Sequence, residues 1–455
     1  MRKALLSFPL LFTCVSLLAV STLCAQAPAA PAPDPEAHAR GIIADLAAGR
    51  FDAVEAQYTA DMAAALPKGK LGESWGMFTS QVGAFKGITD SNLKTVQGMQ
   101  VVTLSCKFER ATIEAALAFD ADGKLAGLHF SSPETATAWA PPAYANPTTF
   151  KEQPVTVTFS HWQLPGTLTM PVGAGPFPGV VLVQGSGPQD EDETIGPNEP
   201  FKDLAWGLAS HGIAVLRYEK RTKEYGNSSA DDFTLMTVND ETINDARAAV
   251  ALLASQPGID AHHIYVLGHS LGAYLGPRIA TGDAQVAGLI LLAGNTRPIE
   301  QVALEMVRYL VGVDQLPQDE AQKEVEEVGA EVKNIERPDL KPSESVTLLG
   351  AQMYGAYWLD LRGYDPAAVA AQLSIPMLIL QGERDFQVTM ADYDGWKKGL
   401  SRHANVTFKS YPDLNHLFTS GSGTPSAREY RLAGHVSGDV IGDVTAWIAA
   451  ASKAK

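Results

Sequence analysis

Two patterns of apolar positions divide this chain. From Phe150 onward, short unbroken apolar runs recur at Val180–Val183, Ile264–Leu267, Leu289–Leu292 and Ile375–Leu380, with helically spaced segments between them. Side chains alternate across a strand, so a run with no polar member implies a strand buried on both faces, as in a parallel sheet covered by helices. The alternation predicts an α/β domain over residues 150–455, its parallel strands joined by right-handed crossovers. Residues 36–135 follow another pattern. Ile42, Ile43, Leu46, Phe51, Val54, Tyr58, Met62, Leu66, Trp75 and Phe78 fall at helical spacing. Val101–Phe108, Ile113–Phe119 and Leu125–Phe130 then read as strands, the last two joined by an Asp122-Gly123 turn. Helices followed by an antiparallel meander predict a small α+β domain with a curled sheet over its helices. Such a shape serves ligand binding, pairing of subunits into a homo-oligomer, or structural support alone. Ala/Pro-rich stretches at Pro28–Pro35 and Ala140–Pro147 read as linkers on either side of it.

The strand-helix rhythm breaks once, from about 297 to 363, where charged helical segments are punctuated by Pro317, Pro338 and Pro342. An insertion ahead of the last sheet strands reads as a helical lid, and Tyr309, Tyr354, Tyr357 and Trp358 become candidates to line a substrate pocket. Aromatics at helical spacing also read as ordinary core.

The chemistry enters at Gly268-His-Ser-Leu-Gly272, directly after the run Ile264–Leu267 and before a helix-compatible Ala273-Tyr-Leu. A strand that turns sharply into a helix crowds its own backbone, so positions two before and two after the serine cannot carry bulk, and Ser270 is pushed out at the C-terminal edge of the sheet. A serine nucleophile needs a base and a carboxylate that orients it. The strand at Ile375–Leu380 ends in Gln-Gly-Glu-Arg-Asp385, and that at Val406–Tyr411 ends in Pro-Asp-Leu-Asn-His416. These give the chain order Ser270, Asp385, His416, with Glu383 as the rival acid. His403, His262 and His263 precede their strands, at the wrong end of the sheet, and His435 opens the last amphipathic segment; no set of metal ligands stands at a familiar spacing. The reading calls for no metal and no cofactor. An oxyanion hole is expected from the N–H of Leu271 and from the small-residue loop Gln184-Gly-Ser-Gly-Pro188, with Ser186 as donor and Gly185 as the alternative. The acidic run Asp190–Glu193 beside that loop is expected to be a solvated segment.

The stretches GSGPQDEDETIGPNEPFKDLAWGLASHGIAVLRYEKRT, GHSLGAYLGPRIA, PMLILQGERDFQV and SYPDLNHLF resemble the secreted bacterial α/β-hydrolases of the carboxylesterase and dienelactone-hydrolase-like group that carry an extra N-terminal domain of unknown function. The resemblance implies an α/β-hydrolase fold, esterase chemistry on short acyl groups, and Ser270, Asp385 and His416 as the triad. It assigns the N-terminal domain no activity. Dienelactone hydrolases proper use a cysteine nucleophile, whereas this position is Ser270, so lactone-specific chemistry is not implied. Peptidases of the prolyl-oligopeptidase kind share the triad order, but the N-terminal region is too short for a propeller and has no blade repeat. A non-catalytic binding protein on the same fold is the other alternative, and a complete set of site residues argues against it.

Arg2 and Lys3 precede an uncharged apolar stretch from Ala4 to Leu23, followed by Cys24-Ala-Gln-Ala27, so residues 1–25 read as a cleaved signal peptide and the mature protein as periplasmic or secreted. Of three cysteines, Cys14 and Cys24 lie in that segment, which leaves Cys106 alone and excludes an intrachain disulfide in the mature chain. The formal charge of −16 becomes more negative once Arg2 and Lys3 are removed, and no basic cluster opposes it, so no nucleic-acid partner is expected. The expected partner is a small-molecule ester.

Overall fold

The unbroken apolar runs lie side by side in one sheet of eight strands: β1 (Phe150–Phe159), β2 (Trp162–Pro171), β3 (Phe177–Val183), β4 (Ala214–Tyr218), β5 (Ile259–His269), β6 (Val286–Leu292), β7 (Met377–Gly382) and β8 (Val406–Tyr411). The computed structural model describes residues 34–96, 99–131, 139–226, 233–313 and 317–453, so the expected signal peptide over 1–25, with Cys14 and Cys24, lies outside the described residues. The strand order is β1-β2-β4-β3-β5-β6-β7-β8, with β2 antiparallel to its neighbours and all pairs from β4 to β8 parallel. Alternate residues feed two cores. Val180, Leu182, Tyr265, Leu267, Ile290, Leu292, Leu378 and Leu380 pack with helices Pro200–Ala209 and Gly438–Ala451. Val181, Val183, Ile264, Val266, Leu289, Leu291, Met377 and Ile379 pack with helices Asn244–Ala254 and Leu271–Ala280. With both faces covered, the central strands have no place for a polar residue, which is why their sequences are unbroken.

Two compact units divide at Ala138/Trp139. The N-terminal unit has helices Pro35–Ala47, Phe51–Glu55, Ala60–Ala65 and Lys70–Val82, followed by four antiparallel strands in sequential order. Ala39, Ile42, Ile43 and Leu46 meet the alternate residues Val102, Leu104, Cys106 and Phe108 of the second strand in its core. Burial pushes the Cys106 thiol up to about 11. The first strand, Phe85–Val96, is absent from the apolar pattern because it is an edge strand, rich in polar residues and broken by two register shifts.

The stretch Ala140–Pro147, expected to be a linker, is instead fastened to the C-terminal unit. Next to it, the Trp139 indole donates to Asp203 at 2.8 Å and packs edge-on to Trp206, and the Tyr144 hydroxyl donates to Val436 O at 2.7 Å.

Between β6 and β7 the insertion holds helices Ile299–Val313, Gln318–Glu336 and Gly355–Leu361, plus a hairpin of strands Ser345–Leu348 and Ala351–Tyr354. Its two turn residues, Leu349 and Gly350, both have positive φ, at 53° and 83°. Asn or Asp normally precedes the glycine of such a turn, and Leu349 in that place leaves no sequence cue.

Candidate active site

β5 runs into Ser270, whose backbone sits at φ 53°, ψ −114°, a conformation strained for any residue with a side chain. Two hydrogen bonds hold it: Ser270 N–H donates to Leu292 O, and Ser270 O accepts from Tyr274 N–H, both at 2.9 Å. The flanking glycines have steric reasons. A Cβ on Gly268 would enter the backbone of Gly272, and one on Gly272 would be driven into the Val183 carbonyl. The elbow therefore presses against the end of β3, where the loop of Gly185 and Ser186 begins.

Asp385 and His416, on the loops after β7 and β8, meet through Asp385 Oδ2 and His416 Nδ1 at 2.6 Å, both residues buried. The carboxylate is held on its other side, since Oδ1 accepts from the N–H groups of Gln387 at 2.8 Å and Val388 at 2.9 Å. Gln381 Nε2 donates to Oδ2 at 3.2 Å and to Val388 O at 2.8 Å, bridging the strand end to the loop. Asn415 ties the turn that carries His416, its side-chain oxygen accepting from Leu417 N–H at 3.0 Å and Thr419 Oγ1 at 3.0 Å. Glu383 points elsewhere and accepts from Ser410 Oγ in an exposed position. The rival histidines His403, His435 and His263 are engaged away from this pair, with Ala371 O, Asp203 and Asp260 respectively. Among the described residues no three His, Cys, Asp or Glu side chains cluster to hold a metal.

Of the three expected oxyanion donors, the N–H groups of Leu271 and Ser186 have no protein acceptor among the described residues. Gly185 N–H is already committed to Glu193 Oε1 at 2.6 Å, which removes it as a donor. Gly185 lies against Ser270 all the same, as a Cβ built on it would come 3.2 Å from Ser270 Cβ.

Glu193 belongs to the acidic run expected to be solvated, and the structure corrects that expectation. It is 1% exposed, and its second oxygen lies 2.9 Å from His269 Nδ1, out of line for a hydrogen bond. Its neighbour Asp192 binds Arg217 at 2.7 Å, and Glu191 accepts from Thr167 Oγ1 at 2.9 Å. His269 in turn reaches His416 O through Nε2 at 2.9 Å, with the two rings 4.6 Å apart. Burial opposes protonation of His269, but Glu193, then the His416 carbonyl and Asp385, outweigh it and raise its pKa. A buried His-carboxylate contact thus links the Gly185–Ser186 loop, the turn at Ser270 and the His416 turn.

Over 378 residues the chain is 40% identical to esterase EstD of Thermotoga maritima, a match spanning 83% of this chain and 86% of that protein. The chain belongs to this esterase family. It is accordingly a serine hydrolase of carboxylic esters. Residues 199–420 match the family described as serine aminopeptidase, S33, and residues 39–128 a family of unknown function, DUF3887. Among solved structures, Est1E from Butyrivibrio proteoclasticus is similar at TM-score 0.44 and 16% identity, covering 66% of this chain and 99% of that one. An esterase of Pyrobaculum calidifontis is similar at TM-score 0.44 and 16% identity, covering 66% and 86%.

In this esterase the aromatics named as pocket candidates separate. Tyr357 and Trp358 are 7% and 3% exposed and belong to the hydrophobic core, with burial and then Glu241 raising the Tyr357 hydroxyl well above its ordinary pKa. Their helical spacing reflects packing in the core. Tyr354 is half-buried at the end of the hairpin. Tyr309 alone approaches the site. It stacks on Phe386, next to Asp385, with ring centroids 6.0 Å apart, and its hydroxyl donates to Pro425 O at 2.9 Å. Glu193, Gln381 and Lys220 escaped the sequence reading: Lys220 meets the Gly185 carbonyl from 35 positions away, and Glu193 and Gln381 reach Gly185 and Asp385 through loop turns that no motif marks.

Proposed function

We propose that this esterase hydrolyses short-chain acyl esters through an acyl-enzyme, with Ser270 as nucleophile, His416 as general base and acid, and Asp385 orienting the imidazole. The observation that carries the reading is the buried 2.6 Å contact between Asp385 and His416 Nδ1, which commits Nδ1 to the carboxylate and leaves Nε2 as the ring nitrogen to take the serine proton. Ser270 Oγ attacks the ester carbonyl carbon as its proton passes to His416. The carbonyl oxygen becomes negative between the N–H groups of Leu271 and Ser186. Collapse expels the alkoxide, which leaves as alcohol with the proton from His416. A water molecule deprotonated by the same imidazole then hydrolyses the acyl-Ser270 ester and releases the acid.

A restricted acyl site is supported by Tyr309, where the insertion comes down against the acid loop at Phe386 and forms a wall beside Asp385. Each further methylene gains roughly 0.8 kcal/mol only while apolar wall remains to receive it. We also assign residues 1–25 as an export signal, supported by the charged Arg2-Lys3 start and the uncharged stretch that follows. Among the described residues, no helix is long and apolar enough to cross a membrane.

The test is a series of p-nitrophenyl esters from acetate upward, run beside aminoacyl-prolyl arylamides, on wild type and Ser270→Ala. Acetate to butyrate should be preferred, the arylamides left intact and the variant inert though folded. A fluorophosphonate should label the wild type at Ser270 alone. Turnover surviving Ser270→Ala, or arylamide cleavage outpacing ester cleavage, refutes the proposal.

A further inference from the structure

We propose that Lys220 is a positioning residue of the oxyanion site: its buried amino group holds the Gly185–Ser186 peptide so that the Ser186 N–H is aimed toward the oxygen that turns negative at Ser270. The inference rests on the reading of Ser270 and its oxyanion loop given above.

Lysine is almost never fully buried without a partner, and Lys220, two residues past the end of β4, is 2% exposed. Glu241 Oε1 lies 3.5 Å from its Nζ, while the hydrogen bond at 2.8 Å goes to the Gly185 carbonyl oxygen. That oxygen and the Ser186 N–H belong to one planar peptide group. The peptide is trans, the cis bond among the described residues being Gly175–Pro176, so C=O and N–H point to opposite sides. Fixing the oxygen on Lys220 therefore directs the Ser186 N–H the other way. Glu193 fixes the preceding peptide through Gly185 N–H at 2.6 Å. Two successive peptide planes are thus pinned by buried side chains of opposite charge, through charge-assisted bonds roughly twice as strong as neutral ones. Of the two residues whose peptides are pinned, Gly185 has its N–H taken by Glu193 while the N–H of Ser186 is left for a ligand, and Gly185 lies against Ser270.

A cation on the carbonyl end of a peptide also draws electrons through the amide resonance and strengthens its N–H as a donor. Both effects favour a full negative charge over a neutral carbonyl, so the transition state gains more than the bound ester. A lysine that served only as counter-ion to Glu241 would affect stability and leave the oxyanion untouched.

The experiment compares wild type, Lys220→Met, Glu241→Gln and the double variant, which removes the ion pair together and guards against an unpaired buried charge. For each folded protein, kcat and KM are measured on p-nitrophenyl butyrate, and inhibition by an aryl trifluoromethyl ketone, which adds to the serine as a hemiketal oxyanion. Removing an oxyanion donor outright costs about 10²–10³ in kcat, so misaiming one should cost about 10–100-fold. Lys220→Met and the double variant should lose kcat by that factor with KM within about 2-fold, and should lose ketone affinity in parallel. Glu241→Gln alone should remain within about 3-fold of wild type. A folded double variant with wild-type kcat, or a kcat loss with ketone affinity unchanged, overturns the role of Lys220. Failure of a fluorophosphonate to label wild-type Ser270 would instead bring down the underlying reading, whatever the lysine variants do.

Discussion

Replacing Asp385 by Asn tests the site through a proton rather than through shape. Oδ1 of Asp385 accepts from two backbone N–H groups, of Gln387 and Val388, so in the variant the amide oxygen must occupy that position. The NH2 group is then turned to where Oδ2 stood, against His416 Nδ1. A donor there obliges Nδ1 to accept, which puts the ring proton on Nε2, the atom that takes the proton of Ser270 in the proposed mechanism. The same NH2 also faces the Gln381 Nε2 donor across 3.2 Å. Two donors facing each other in a buried site cost about 1–3 kcal/mol of stability. The wrong imidazole tautomer costs on the order of 10⁴ in kcat, the loss seen when a serine-protease triad is altered in this way. Glu383→Gln is the matched control: its carboxylate is bonded to Ser410 in an exposed position, so turnover should stay within about 2-fold. Steady-state kinetics on p-nitrophenyl butyrate and thermal melts of both variants are the assay. A crippled Glu383→Gln beside a mild Asp385→Asn would refute the argument.

Further outcomes follow from packing and charge. Gly272→Ala should lose on the order of 3 kcal/mol or more by thermal melt, because its methyl would be driven into the Val183 carbonyl; a variant as stable as wild type would mean that the elbow does not press on β3. Burial raises the Glu219 pKa from 4.5 to about 7, so between those values the folded state binds more proton than the unfolded one and stability falls as pH rises through that window. Glu219→Gln removes that fall, so its gain in Tm over wild type should be larger at about pH 8 than at about pH 5, and equal gains would contradict the assignment. A chain beginning at Trp139 should fold and keep its kcat on a small ester, whereas one beginning at Ala145 should melt lower, having lost the Trp139 and Tyr144 bonds to Asp203 and Val436. Identical melting of the two would show that this segment contributes nothing to the hydrolase unit.

What was legible in the sequence is what neighbours in the chain decide. The elbow geometry is set by residues within two positions of Ser270, and the sheet strands by unbroken runs that only burial on both faces explains. Asp385 and His416 could be named because each stands on the loop that ends a recognisable strand. The hairpin around Leu349 and the edge strand Phe85–Val96 were invisible because their local residues carry no turn or burial signal. Tyr357 and Trp358 show a different limit, since helical spacing says which face a side chain shares and not whether that face meets core or cavity. The acidic run is the most instructive case. Four successive carboxyl residues look solvated when read alone, yet Arg217, which receives Asp192, and Lys220, which binds the Gly185 carbonyl while Glu193 takes the Gly185 N–H, stand fewer than thirty positions after Glu193. Nothing local pairs them. β3 lies parallel to β4, with Val180 beside Val215 and Val181 beside Leu216, so the segments leaving the two strand ends emerge together above the sheet. That register brings the acidic loop to its cations, and Ser186 to the edge of the serine, in a single step of folding.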